Sequence, residues 1–350
     1  MAWKIGVLGL IHDHVWAHLR ELAGRDDVTL AVADPNAPLL DKARAEYGVA
    51  HAHPDYAALL ERERPDAVLI FADNAGTVPL VELAAAHGRP IMTEKPMADS
   101  LAGAERMRVA AASARVPLLV NWPTAWRPEI RHAIRLASEG VIGEVFRLNY
   151  RGGHRGPKEY GCSPYFYGWL YDRARNGAGA YLDYCGYGAS IARLVLGMPS
   201  RAQATLGRLQ KDDLDVDDNA VLLLRYQRTM AVIEATWTAA GPVLHGGPVL
   251  YGRDGTLVVD RRPPRGEGRG AGDAGALLHV TRDNPDGVLV EVPPLPAGER
   301  SAVEYFLTCL AGDRPIEGLV SPAVGRDTQE ILEAGLRAGA TGREVSLPLA

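Results

Sequence analysis

Cysteine is scarce: 350 residues hold only Cys162, Cys185 and Cys309, with no C-x-x-C spacing. That excludes a disulfide framework or a zinc finger and suits a reducing compartment. Long apolar runs are absent, so no segment reads as a bilayer span. The N-terminal stretch MAWKIGVLGL enters a strand directly, without a cationic segment or cleavage site, and reads as lacking an export signal. A cytoplasmic protein without a membrane partner is expected. Basic excess is absent too: 38 Lys and Arg against 43 Asp and Glu give a net charge of −5, and no basic run offers nucleic acid a footprint. No repeats occur, and RRPPRGEGRGAGDAG (261–275) reads as a mobile surface loop. An apolar content of 47% and this length suit a globular chain of two domains.

What is present begins with alternation. Over the first ~120 residues, short apolar runs alternate with amphipathic stretches, the pattern of a parallel α/β sheet. Strands are predicted at KIGVLG (4–9), VTLAVAD (28–34), DAVLIFAD (66–73), RPIMTE (89–94) and PLLVNW (117–122). In VWAHLRELA, Val15, Leu19 and Leu22 recur at helical spacing. In TVPLVELAAAHG, Thr77 is placed to cap and Gly88 to stop a helix. Beyond Trp122 the pattern changes. A helix at 128–140 precedes longer β-type runs, which predict a large, open, mostly antiparallel sheet. In TMAVIEATW both faces are at least half apolar, so that sheet needs two covers, one of them available from a second subunit. The fold class is α/β, with a parallel-sheet domain at 1–123 and a second α/β domain at 124–350.

The predicted strands end on Gly9, Asp34, Asp73–Asn74, Glu94–Lys95 and Asn121. In an open parallel sheet, ligands bind outside the carboxyl ends of the strands, so these polar residues point to one crevice. The first turn, GVLGLIHDHVWAHL, departs from the dinucleotide fingerprint G-x-G-x-x-G. Gly9 fills the first place, but Ile11 and His14 fill the second and third. Either the turn shifts or Ile11 points away. The helix that follows is expected to offer free N–H groups to an anion, and His12 or His14 can add a donor. Asp34, 25 residues after Gly9, is placed to accept from an adenosine ribose and to repel a 2′-phosphate, so NAD is expected ahead of NADP. His12, His14 and His18 also invite a metal reading, but no cysteine or suitably spaced carboxylate other than Asp13 completes a set, and no metal is expected.

With the MTEKPMA segment at Lys95, the chain resembles the Gfo/Idh/MocA oxidoreductases, named for glucose–fructose oxidoreductase and inositol dehydrogenase. AVADPN, ADNAG, EKP, EGVIGEV (139–145), GAGAYLDYCGYGAS (177–190), DNAVLLLRY and TGREVSL fall in that family's order along nearly the whole chain. The resemblance implies a Rossmann dinucleotide-binding domain at 1–123 and a C-terminal α/β domain with an open sheet at 124–350 for substrate binding and oligomerisation. It implies NAD(P)-dependent oxidation of a sugar or polyol hydroxyl, a small-molecule carbohydrate substrate, and a homodimer or homotetramer joined through the sheet. It also implies site residues. Lys95, held extended by Pro96, stabilises the forming alkoxide, with Glu94 beside it. Asp183 matches the aspartate that contacts a substrate hydroxyl. Tyr187 stands where histidine is common. Cys185 replaces a glycine and Ser190 the last aspartate of that motif. A free tyrosine titrates near ~10, so the phenol takes the hydroxyl proton only where positive charge favours its phenolate. Tyrosine here favours aldose- or pyranose-type substrates over inositols.

The expected catalytic set is Lys95, Tyr187 and Asp183. The expected cofactor set is Gly9, Ile11, His12, Asp34, Asn74, Glu94, Lys95 and Asn121. Trp122, His154, Lys158 and Tyr165, in or near the aromatic stretch at 153–172, join Lys95, Asp183 and Tyr187 as candidate substrate contacts. Two rival functions keep the dinucleotide: a redox-neutral enzyme that oxidises a sugar transiently and releases a substituent, and a non-catalytic regulator. Stoichiometric NADH formation separates dehydrogenase from redox-neutral enzyme, and retention of Lys95, Asp183 and a phenol at 187 speaks against the regulator.

Overall fold

The computed structural model describes residues 2–241, 246–260 and 275–349. Most of the loop expected at 261–275 lies outside them. Along the chain run β1 (Trp3–Leu8), α1 (Val15–Ala23), β2 (Val28–Ala33), α2 (Ala37–Tyr47), β3 (His51–His53), α3 (Tyr56–Glu63), β4 (Ala67–Ile70), α4 (Asn74–Ala86), β5 (Ile91–Glu94), α5 (Leu101–Ala114) and β6 (Leu118–Asn121). There follow α6 (Pro128–Ser138), β7 (Val145–Gly153), α7 (Pro157–Tyr160), α8 (Pro164–Leu170), α9 (Arg173–Asn176), a π turn (Tyr181–Cys185) and α10 (Gly186–Leu196). The remainder is β8 (Arg201–Gly207), β9 (Asn219–Arg225), β10 (Met230–Thr236), β11 (Gly247–Gly252), β12 (Thr256–Asp260), β13 (Ala276–Val280), β14 (Val288–Leu289), α11 (Ala302–Ala311), α12 (Pro322–Thr341) and β15 (Val345–Ser346).

Two compact units result. The first takes Met1–Asn121, Gly161–Gly177 and Ser301–Arg326. Its sheet is all parallel, in the order β3-β2-β1-β4-β5-β6, the strand order of a dinucleotide-binding fold. Strands β4, β5 and β6 are buried along their whole length, as expected of strands covered by helices on both faces. In α1, Val15, Leu19 and Leu22 form the buried stripe expected from their spacing. Helix α4 starts earlier than expected. Asp73, not Thr77, is its cap, accepting from Gly76 N–H at 2.6 Å, a contact worth about 1 kcal/mol. Thr77 Oγ1 instead donates back to the Asp73 carbonyl, so Asn74 belongs to the first turn of the helix.

The second unit takes Trp122–Tyr160, Ala178–Arg300 and Asp327–Ala350. Its sheet runs β14-β13-β12-β11-β7-β10-β9-β8-β15. Every pairing is antiparallel except β7 with β10. One face carries Ala231, Ile233, Ala235 and Trp237, all buried. The other face presents Val221, Leu223 and Met230, exposed by 40%, 42% and 51%. Leu223 lies opposite Val232, but Val221 lies opposite Glu234 and Met230 opposite Arg225, so this face mixes apolar and charged residues.

Strand β9 begins behind an acidic pair that anchors the unit. The buried Asp218 carboxylate accepts N–H bonds from Leu209 (2.7 Å), Gln210 (2.8 Å) and Lys211 (2.8 Å), and one from Asn219 Nδ2 (3.0 Å). Burial pushes its pKa up, but these donors outweigh burial and hold it below the ordinary carboxylate value. A carboxylate depressed on folding contributes stability above its unfolded pKa of ~4, and that contribution is lost as pH falls through the lower folded value. Asp218→Ala is expected to cost on the order of 3 kcal/mol near neutrality, because three backbone donors lose a charged acceptor. Urea midpoints of wild type and variant should converge on acidification below pH ~4; a constant gap would contradict this.

Candidate active site

In the first unit, the turn after β1 is built on Gly9. Its φ of +89° lies in the left-handed region, and a Cβ there would stand 2.8 Å from the Phe71 carbonyl. Only glycine serves. Asp34, fully buried at the end of β2, ties this turn down: Oδ2 accepts from Leu10 N–H at 2.6 Å. Its Oδ1 accepts from the backbone and side-chain nitrogens of Asn36, both at 2.7 Å. Ile11 is half-buried and His12 is buried. Helix α1 begins at Val15 with His14 as its N-cap and no side-chain capping bond. A glycine turn and the reversal of strand order between β1 and β4 fit a dinucleotide, whereas the first N–H groups of α1 are engaged locally, Val15, Trp16 and Ala17 donating to the carbonyls of His12, Asp13 and His14.

Glu94 ends β5 and is buried among histidines. His14 Nδ1 stands 3.2 Å from its Oε2 and His18 Nε2 stands 3.5 Å from its Oε1. Asn121 Nδ2, at the end of β6, donates to Oε1 at 2.7 Å. Burial raises the Glu94 carboxyl pKa, yet charge and hydrogen bonding from His14, with His18 and His12, hold it well below its ordinary value. Lys95 is buried, its N–H lies 3.4 Å from Glu94 Oε2, and the Lys95–Pro96 bond is cis. His12 packs against Phe166 and Trp169 of α8, at ring-centroid separations of 4.5 and 5.7 Å. Asp13 is taken by Ser163, whose N–H and Oγ donate to its two oxygens at 2.7 and 2.6 Å. The structure thus gathers His12, Glu94, Lys95 and Asn121 of the expected cofactor set at one end of the sheet. Asn74 is engaged elsewhere, donating to the carbonyl and Oδ1 of Asn176. Tyr165, on α8, is exposed.

In the second unit, the motif at 177–190 forms a π turn leading into α10, an irregularity frequent at functional sites. Asp217 pins its start, accepting from Gly179 N–H at 2.8 Å and Tyr181 N–H at 2.7 Å. Asp183 accepts from Trp237 Nε1 at 3.0 Å. Tyr187, half-buried in the first turn of α10, meets the Trp122 ring edge-on at 5.6 Å and stacks toward Tyr150 at 6.4 Å. Tyr150, Tyr184 and Tyr187 line a small cavity with Thr124 and Arg127. The glycines flanking Tyr187 make this possible. A Cβ on Gly186 would stand 2.9 Å from the Trp122 ring, and one on Gly188 would stand 2.6 Å from Ile233 Cγ2 and 2.9 Å from Tyr150 Cβ. Gly188→Ala must therefore lift the helix off the sheet. We expect a loss of roughly 1–3 kcal/mol, seen as a lower urea midpoint, together with reduced turnover; unchanged stability would show that the packing gives way.

Cys185 and Ser190, the motif's departures, are both buried, the latter donating to the Tyr187 carbonyl at 2.9 Å. His154 stacks on Tyr160 at 5.1 Å and meets Tyr184 edge-on. Lys158 pairs with Asp213 at the surface, 2.7 Å apart. Sequence reasoning missed Tyr150, Tyr184, Trp237 and Asp217. The run DVDDN before β9 was a visible signal for the last. The strand aromatics had none, because their partners are set by register.

Comparison with known proteins follows the same division. Residues 4–122 match the family described as "Oxidoreductase family, NAD-binding Rossmann fold", and residues 130–258 match "GFO/IDH/MocA C-terminal domain". A D-apiose dehydrogenase of Paraburkholderia graminis is 30% identical over 65% of this chain, but the match spans only 57% of that relative's length. A myo-inositol 2-dehydrogenase of Thermotoga maritima is 26% identical over 73% of this chain and 72% of its own. The aldose–aldose oxidoreductase of Caulobacter crescentus, solved with glycerol, superposes over 99% of this chain and 100% of its own with a TM-score of 0.81 at 22% identity. Among the described residues no helix is long and apolar enough to cross a membrane. With both of its halves matched in order, a Rossmann unit and the C-terminal unit that follows it, the chain belongs to the Gfo/Idh/MocA oxidoreductase family.

Proposed function

We propose that this chain is an NAD(P)-dependent dehydrogenase that oxidises a hydroxyl of a sugar or related cyclic polyol, with 1–123 as the cofactor domain and 124–350 as the substrate and oligomerisation domain. The observation that carries the reading is Tyr187. Its phenol is set into a cavity by two glycines that admit no side chain, next to an aspartate held by an indole N–H. Bound nicotinamide supplies the hydride acceptor. Tyr187 takes the hydroxyl proton, Lys95 stabilises the oxygen as it becomes an alkoxide, and Asp183 fixes a neighbouring hydroxyl. Gly9, Glu94 and Asn121 are the groups we assign to holding the dinucleotide. Trp122 orients the phenol, and His154 supplies a further polar contact. The curated relatives named as dehydrogenases of apiose and of myo-inositol support the substrate class. The exposed apolar residues Val221, Leu223 and Met230 on one face of the second sheet support assembly into a homodimer or homotetramer.

A panel of aldoses, pyranosides and inositols, read by NADH absorbance, tests the reading. One substrate class should yield one NADH per turnover. Product without NADH would point to redox-neutral chemistry, and nucleotide binding without product would point to a regulator. Asp34 supports NAD as the preferred cofactor, since its charge stands fixed at the end of β2. We expect kcat/KM with NAD to exceed that with NADP by at least ~10-fold, about 1.4 kcal/mol. The reverse ratio would contradict the assignment.

A further inference from the structure

The histidines of the first turn have a partner that the linear sequence hides. We propose that His12, His14 and Glu94 form a binding site for a divalent first-row transition ion, a function beyond the hydride-transfer reading at a site that shares Glu94 with the proposed dinucleotide site. Their ligand atoms lie within 4.8 Å of one another, with two of the three residues buried. His14 Nδ1 and Glu94 Oε2 are 3.2 Å apart. Two ligands bound about 2.0–2.2 Å from one ion stand roughly 3.0–3.5 Å apart, which matches. Two imidazoles and one carboxylate select zinc, cobalt, nickel or iron over magnesium or calcium. Asp13, between the histidines, is bonded to Ser163 and so leaves the acidic place to Glu94.

The surroundings are those of a supported site. Asn121 donates to Glu94 Oε1 and orients the carboxylate. Phe166 and Trp169 pack on His12 and shield it from water. Such outer partners tune affinity by about 10–100-fold. The other histidine pair on the same unit, His51 and His53, also meets a glutamate, but Glu63 there already has Lys4 Nζ at 2.6 Å. That fixed cation disfavours a metal at the second cluster and makes it the control.

The test is a Co²⁺ titration of the full chain without nucleotide, followed by visible d–d absorption and calorimetry. One equivalent should bind, with bands that disappear in His14→Gln and in Glu94→Gln. Asn121→Ala should weaken binding by about 10–100-fold, and His53→Gln should leave it unchanged. His14 is half-exposed, so its variant keeps the test meaningful if the buried His12 variant does not fold. Absence of saturable binding would overturn the proposal. So would binding that survives in His14→Gln, or that is lost in His53→Gln. Because nucleotide is omitted, a failed dehydrogenase assay leaves this result readable, and the reverse holds too.

Discussion

Lys95→Met is expected to lower turnover by about 10²–10³-fold while leaving dinucleotide affinity within a few-fold of wild type. The residue closes β5, is buried, and is followed by a proline that holds the backbone out of the helical region. An ammonium fixed in a water-poor site stabilises a forming alkoxide far more than it would in water, and loss of one such group costs roughly 3–4 kcal/mol of transition-state stabilisation. Methionine keeps the volume and removes the charge, so the fold should hold, with an unchanged or raised melting temperature. The effect should fall on kcat and on kcat/KM alike, because the charge is needed where negative charge develops. A variant that only raises KM would make Lys95 a binding residue and remove it from the chemistry.

Tyr187→Phe is expected to reduce kcat by about 10²–10⁴-fold, the range for loss of a positioned proton acceptor. Phenylalanine preserves the edge contact with Trp122 and the stacking toward Tyr150, so packing is retained and only the hydroxyl is lost. Cofactor binding, read by nucleotide fluorescence, should not change. The pH profile adds a second readout. The wild-type rate should rise with pH as the phenolate forms, and the residual rate of the variant should lose that limb. Under the roles proposed above, Lys95→Met combined with Tyr187→Phe should be little worse than the poorer single variant.

Much of this was legible before the fold was seen. The alternation of apolar runs with helical stretches specified a parallel sheet, and strand ends placed Gly9, Glu94, Lys95 and Asn121 at one edge of it, where the structure has them. Two kinds of information stayed hidden. One is competition for hydrogen bonds. Asn74 looked like a cofactor ligand, but it meets Asn176, which lies 102 positions away. Asp34 was legible as an acidic strand end; that its oxygens also secure Leu10 and Asn36, and so fix its charge, was not. The other is register. Tyr150 faces Ile233 only because β7 and β10 pair in parallel, and Gly188 closes over both. The histidine cluster shows the same limit, since Glu94 lies 80 residues beyond His14.

The most direct measurement is the initial rate of NADH formation on the best substrate of the panel, compared between wild type and Tyr187→Phe at equal cofactor occupancy. A wild-type rate with one NADH per product, falling at least ~100-fold in the variant, is the expected result. A variant within about two-fold of wild type, with its fold and cofactor binding intact, would contradict the assignment of the hydroxyl proton to Tyr187.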